Sequence, residues 1–190
     1  MLTGKSSARP CPARRERGFS LVELGVVLAV AVVLATLAAP SLADLQAGSR
    51  VRATASQFMA EVNLARSLAI MQRRRTVLCP SADGSSCLPD GHWHRGWILF
   101  EDVDADREHD PGERLHRVTG AQPGVSLVTS VMRRRLTFQP TGLSPGANGT
   151  YTVCAERGGV PPRAVIVANH GRARMSQVSP DGSPLLCRQP

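Results

Sequence analysis

Near the C-terminal end, Gly171-Arg172-Ala173-Arg174 sets two guanidinium groups two residues apart. In an extended strand that spacing sends both side chains out of one face. Two cations so placed suit a row of phosphates, and contacts of that kind give sequence-independent affinity that falls steeply with salt. The preceding run Ala164–Ala168 reads as a strand, and Asn169, His170 and Gly171 as a short turn, with Gly171 suited to a positive backbone φ. Arg163, with Arg133, Arg134 and Arg135, would widen such a patch. A plainer reading competes: arginines on an exposed edge strand discourage edge-to-edge pairing.

Other chemistry-bearing residues point less far. Asp102 to Glu113 carries carboxylates at loop positions one, three, five, nine and twelve, which imitates an EF-hand calcium loop. Its sixth residue, where a glycine normally makes the sharp turn, is Arg107, and the flanking segments read as strands where such a loop expects helices. A solvated hairpin loop is therefore expected, with no metal and no cofactor. His92 and His94 share one side of an extended segment but have no third ligand nearby. The chain has no nucleophile elbow, phosphate loop or paired-histidine zinc helix, so no enzymatic activity is expected.

Cysteine usage bears on the compartment. Cys11 lies in the N-terminal leader described below, which leaves Cys79, Cys87, Cys154 and Cys187. Four cysteines in an oxidising compartment suggest two bridges. Of the three connectivities, Cys79–Cys87 brackets a turn and Cys154–Cys187 brackets the last strands, and this pairing is preferred over free buried thiols.

The elements that must position these residues follow from periodicity. Short β-type runs separated by Gly, Pro, Asp and Asn fill the chain from Thr76 onward. They are Thr76–Cys79, Trp97–Glu101, Leu115–Val118, Val125–Val131, Arg135–Phe138, Tyr151–Ala155, Ala164–Ala168 and Arg172–Ser176. Upstream, Val51, Ala55, Phe58, Val62, Ala65 and Ala69 recur at helical spacing and form a stripe to pack on a sheet. Arg73, Arg74 and Arg75 stand where that helix is expected to end, as cations complementing its C-terminal dipole. The class is α+β, an antiparallel sandwich or strongly bent sheet carried by one helix.

From Phe19 to Ala39 the sequence carries a single charge, Glu23, and as a helix would extend roughly 31 Å, the thickness of a bilayer core. Arg14, Arg15 and Arg17 precede it, so the positive-inside rule leaves the N-terminus cytoplasmic and exports the remainder. Residues 1–18 hold five basic residues and one acidic, so the net charge of +8 falls to about +4 without them. That mild excess permits polyanion binding without demanding it. A carboxylate at membrane depth costs about 2.5–3.5 kcal/mol, and Glu23 is expected to have a partner. The competing reading is an ordinary secretory signal with Ser41-Leu42-Ala43 as its cleavage site.

Gly18-Phe19-Ser20-Leu21-Val22-Glu23, with Pro40 twenty-second after Gly18, resembles the processing site and helix of type IV pilins and type II secretion pseudopilins. Asn63–Ile70, Thr76–Cys79 and Gly96–Phe100 followed by an acidic loop narrow the resemblance to the GspH/FimT pseudopilins and minor pilins. Gly171-Arg172-Ala173-Arg174 also looks like the Gly-Arg-x-Arg motif of FimT proteins, which bind DNA during natural transformation.

The resemblance implies a leader at 1–18, a transmembrane helix at 19–39, an amphipathic continuation at 40–75 and a periplasmic β-rich domain at 76–190. It further implies cleavage between Gly18 and Phe19 by a prepilin peptidase and methylation of the Phe19 amine. Glu23 would meet a neighbouring subunit's N-terminal amine in a filament. The expected partners are other pilin or pseudopilin subunits, the inner membrane and double-stranded DNA, with Gly171, Arg172, Arg174 and Arg163 at the DNA surface. Mature protein isolated from cells should accordingly begin at methylated Phe19 in mass spectrometry; a mature start at Asp44 would identify an ordinary signal peptide instead.

Overall fold

The computed structural model describes residues 18, 20–129, 133–156 and 159–187. Most of the expected leader, Phe19 and the end of the expected strand Val125–Val131 lie outside the described residues. One helix, α1 (Leu21–Gln72), precedes eight strands: β1 (Arg75–Pro80), β2 (Trp97–Asp102), β3 (Leu115–Thr119), β4 (Val125–Val128), β5 (Leu136–Phe138), β6 (Gly149–Ala155), β7 (Arg163–Val167) and β8 (Ala173–Ser176). The strands form two four-stranded antiparallel sheets, ordered β3-β2-β1-β5 and β4-β6-β7-β8. The expected α+β architecture, a long N-terminal helix with antiparallel sheets, is what the chain adopts.

The chain divides into two compact units, Met1–Ser41 and Leu42–Pro190. In the first, the described side chains of α1 from Leu21 to Thr36 are all exposed and almost wholly apolar. That segment makes α1 long and apolar enough to cross a membrane. Glu23 lies in its first turn and is exposed.

In the second unit, the stripe Val51, Ala55, Phe58, Val62, Ala65 and Ala69 is wholly buried. It joins one core cluster with Leu78, Leu99, Leu136 and Phe138 of the first sheet and Leu127, Tyr151, Val153, Val165 and Val167 of the second. Small residues at positions 55, 65 and 69 let the helix approach closely, while Phe58 fills the centre. Its ring lies 5.2 Å from Trp93, 5.5 Å from Trp97 and 5.0 Å from Tyr151, the first two edge-on. Thr76 Oγ1 donates to the Ala65 carbonyl at 2.9 Å and ties β1 to the helix.

Strand β2 is buried on both faces, which explains why Trp-Ile-Leu-Phe reads as a continuous run instead of an alternation. Trp97 and Leu99 face the helix, whereas Ile98 and Phe100 join Val77 and Cys79 on the outer face, where Cys87 packs. The bond Cys79–Cys87 fastens that cover. In the second sheet, Ala164 and Ile166 meet Leu185 on the outer face, and Cys154–Cys187 fastens the tail. By loop-closure entropy, bridges spanning 8 and 33 residues contribute about 2.5 and about 4 kcal/mol.

The helix end differs from expectation. Helix α1 stops at Gln72, Arg73 takes a left-handed conformation with φ 53°, and Arg75 already belongs to β1 opposite Asp102. The three arginines therefore have separate roles: a turn residue, a surface cation 4.0 Å from Glu101, and a strand residue facing Asp102 at 3.6 Å.

Removing the central ring tests this packing. Phe58→Ala should lower unfolding free energy by about 3–5 kcal/mol in thermal or denaturant melts, because three aromatic neighbours on the helix-facing layers lose their common partner.

Candidate functional site

The β7–β8 hairpin begins in the pairing of Val167 with Ala173 and of Ile166 with Arg174. Its turn is closed by Gly171 N–H donating to the Ala168 carbonyl at 2.8 Å and by Ala168 N–H donating to the Arg172 carbonyl at 2.9 Å. Gly171 has φ +77°, and a Cβ there would overlap the Gly142 carbonyl oxygen. The glycine is thus required twice, by the turn and by the close approach of a second loop.

That second loop holds the hairpin in place. Asn169 accepts from Ser144 N–H through its backbone carbonyl at 2.9 Å and from Asn148 N–H through Oδ1 at 3.0 Å. Arg66 on α1 donates from Nε to the Gly142 carbonyl at 3.2 Å. Helix, loop and hairpin are thereby locked together at the edge of the second sheet.

Ala173 packs against the core, so Arg172 and Arg174 on either side of it point away from that core, and both are exposed. Neither makes an ion pair or side-chain hydrogen bond among the described residues. They line a groove of about 540 Å³ with His170, Ala168, Ile166 and Ala173 from the hairpin and Asn63 and Arg66 from α1. Four of those eight side chains are basic or imidazole, and no carboxylate lines the groove.

Arg163 does not join them. It pairs with Val153, a core-facing residue, whereas Arg174 pairs with Ile166 on the outer face. Strand alternation puts Arg163 on the opposite face, at the far end of β7 from the turn. Arg133 and Arg134 donate to the carbonyls of Gly146 and Pro89, and Arg135 engages Glu108 and the Arg107 carbonyl. These three clamp loops and line a separate cleft with Asp106 and Glu108.

One polar site escaped the sequence reading. Glu61, inside the apolar stripe of α1, is buried; Oε2 accepts from Trp97 Nε1 at 2.6 Å and Oε1 from Thr119 Oγ1 at 2.7 Å. A carboxylate three residues after Phe58 and four before Ala65 was the available signal, since that spacing keeps it on the buried face. His94 sits partly buried, and desolvation holds its imidazole below the usual range, so it is not poised as a charged group.

A model of the family described as type II transport protein GspH matches residues 54–182, most of the chain. The chain belongs to the GspH family. Its relatives include the pilin-like protein PilA1 of Thermus thermophilus, 30% identical over 167 residues that cover 84% of this chain and 97% of the relative. Among solved structures, the type IV minor pilin FimU of Pseudomonas aeruginosa matches with a TM-score of 0.54 at 21% identity, covering 67% of this chain and 89% of that one. The FimU likeness establishes the pilin fold. Membership in the GspH family makes this a structural protein of the pilin and pseudopilin class, anchored by its apolar N-terminal helix.

The hairpin's dependence on Gly171 separates two effects. Gly171→Ala should cost about 2 kcal/mol or more in thermal melts, from strain and from displacing the Gly142 loop. Gly182→Ala, at φ +85° but with open space around it, should cost only about 1 kcal/mol, the backbone strain alone.

Proposed function

We propose that this GspH-family protein is a minor subunit of a type IV pilus-like filament and that its β7–β8 hairpin captures double-stranded DNA for uptake. It is held in the inner membrane by α1, with the N-terminus cytoplasmic and the β-domain in the periplasm or on the filament. Prepilin peptidase supplies the mature form, and Glu23 engages the N-terminal amine of a neighbouring subunit during assembly. Its part is structural and binding, with no catalytic step.

The observation that carries DNA capture is the pair Arg172 and Arg174: exposed, free of carboxylate partners among the described residues, and held on a hairpin locked to α1 and the Gly142 loop. The fixed backbone starts both side chains from the same hairpin, and guanidinium groups meet phosphate oxygens with charge-assisted hydrogen bonds. Several other arginines around the sheets answer to a local acceptor, including Arg74, Arg75, Arg95 and Arg135. The family description, type II transport, favours a second reading in which the same anchored subunit serves a secretion pseudopilus without binding DNA.

Salt-dependent binding decides between them. Full-length protein in detergent micelles should bind duplex DNA without sequence preference, and Arg172→Gln with Arg174→Gln should weaken it about 10-fold or more. The slope of log K against log salt should shrink by about 2 in the double variant. Equal, weak binding by both proteins would remove DNA capture and leave the secretion reading.

A further inference from the structure

We propose that the cleft between the 106–108 loop, the 133–137 segment and the turn at Pro145 and Gly146 binds a phosphate group carried on a hydroxyl-rich molecule, a sugar or polyol phosphate. The cleft holds about 460 Å³, and four arginines, Arg107, Arg133, Arg134 and Arg135, line it against two carboxylates, Asp106 and Glu108. Its walls therefore carry an excess of positive charge. It shares no lining residue with the groove beside Arg172 and Arg174, so it stands apart from DNA capture.

Arg133 is the charge that most needs a partner. It is half-buried, it donates to the neutral Gly146 carbonyl, and no carboxylate pairs with it among the described residues. A Cβ at Gly149 would lie 3.4 Å from Arg133 Cγ and 3.7 Å from Tyr151 Cε2, so the arginine stem runs beside that ring. The Tyr151 hydroxyl is buried without a hydrogen-bond partner; burial pushes its titration up, and the charge of Arg133 opposes that shift. The guanidinium thus stands against desolvated ground with no counter-charge, where an anion gains most.

The neighbouring groups are already held in place. Arg135 Nε donates to the Arg107 carbonyl at 2.8 Å and its Nη2 engages Glu108, which fixes the loop against the 133–137 segment. The Arg107 guanidinium is exposed and makes no hydrogen bond or ion pair among the described residues. A guanidinium offers five donors in a planar fork that matches phosphate oxygens. The carboxylates suit the remainder of the ligand: Asp106 Oδ1 accepts from Glu108 N–H at 2.7 Å and has lone pairs left for hydroxyl donors. No aromatic ring lines the cleft, so a nucleobase has nothing to stack on. The volume exceeds that of a bare phosphate and lies within the roughly 300–1,000 Å³ of small-molecule sites.

The test is calorimetry on full-length protein in non-ionic detergent micelles, titrated with glycerol phosphate at constant ionic strength. Wild type should bind one molecule per chain with Kd about 1 mM or lower, inorganic phosphate should bind more weakly, and glycerol should not bind. Arg107→Gln changes an exposed side chain, so it should melt like wild type and bind about 3-fold more weakly or worse; adding Arg133→Gln should bring the loss to about 10-fold or more. Arg172→Gln with Arg174→Gln should bind like wild type. No saturable binding up to about 20 mM, or undiminished binding by both cleft variants, would overturn the proposal. So would loss of binding in the hairpin variant, which would move the phosphate to the other groove. Inorganic phosphate binding as tightly as glycerol phosphate would overturn the assignment of a hydroxyl-rich ligand.

Discussion

Burial of one helical seam against two separate sheets is the constraint on which the rest of the Leu42–Pro190 unit depends. Among the described residues the sheets share no hydrogen-bonded strand pair; what they have in common is the cluster built around Phe58. Burying such a ring contributes about 1.5–3 kcal/mol by apolar transfer, before its edge-on aromatic contacts are counted. Glu61 adds direction to this non-directional force. Its two hydrogen bonds reach β2 through Trp97 and β3 through Thr119, so the helix cannot rotate or slide by a turn without stranding a buried carboxylate. Apolar burial supplies the stability, and one buried anion specifies the register.

The outer faces raise a different problem, because α1 covers only the inner ones. Each sheet meets it with a disulfide-tethered segment: residues 80–88 over Ile98 and Phe100, and the tail carrying Leu185 over Ala164 and Ile166. Such short covers bury too little surface to stay down on hydrophobic contact alone, and a covalent link removes much of the entropy they would otherwise gain by leaving. Asp83 reinforces the first cover locally. Hydrogen bonds from Ser86, Ser85 and Ser81 hold its carboxyl well below the usual range, so this turn stays organised in neutral solution.

Much of this was legible in the sequence because it rests on local periodicity. The stripe from Val51 to Ala69 and the positions of all eight strands follow from spacing and β-type composition, and the cysteine pairing follows from which turns the residues bracket. What stayed hidden depends on which strands become neighbours. Arg163 sits near Arg172 and Arg174 in the chain, yet pairing with Val153 sends it to the other face. Arg66 looks like an ordinary helix cation until the Gly142 loop folds back on it. Arg73 to Arg75 reads as one charged run, but the left-handed turn at Arg73 splits it between a helix end and a strand.

Charge is distributed unevenly between the two sheets. The acidic hairpin belongs to the sheet β3-β2-β1-β5, and the arginine hairpin to the edge of β4-β6-β7-β8. Arg75, Arg135 and Arg74 stand beside Asp102, Glu108 and Glu101, which damps the field of those carboxylates at short range. Among the described residues Arg172 and Arg174 have no carboxylate partner, so their field projects into solvent.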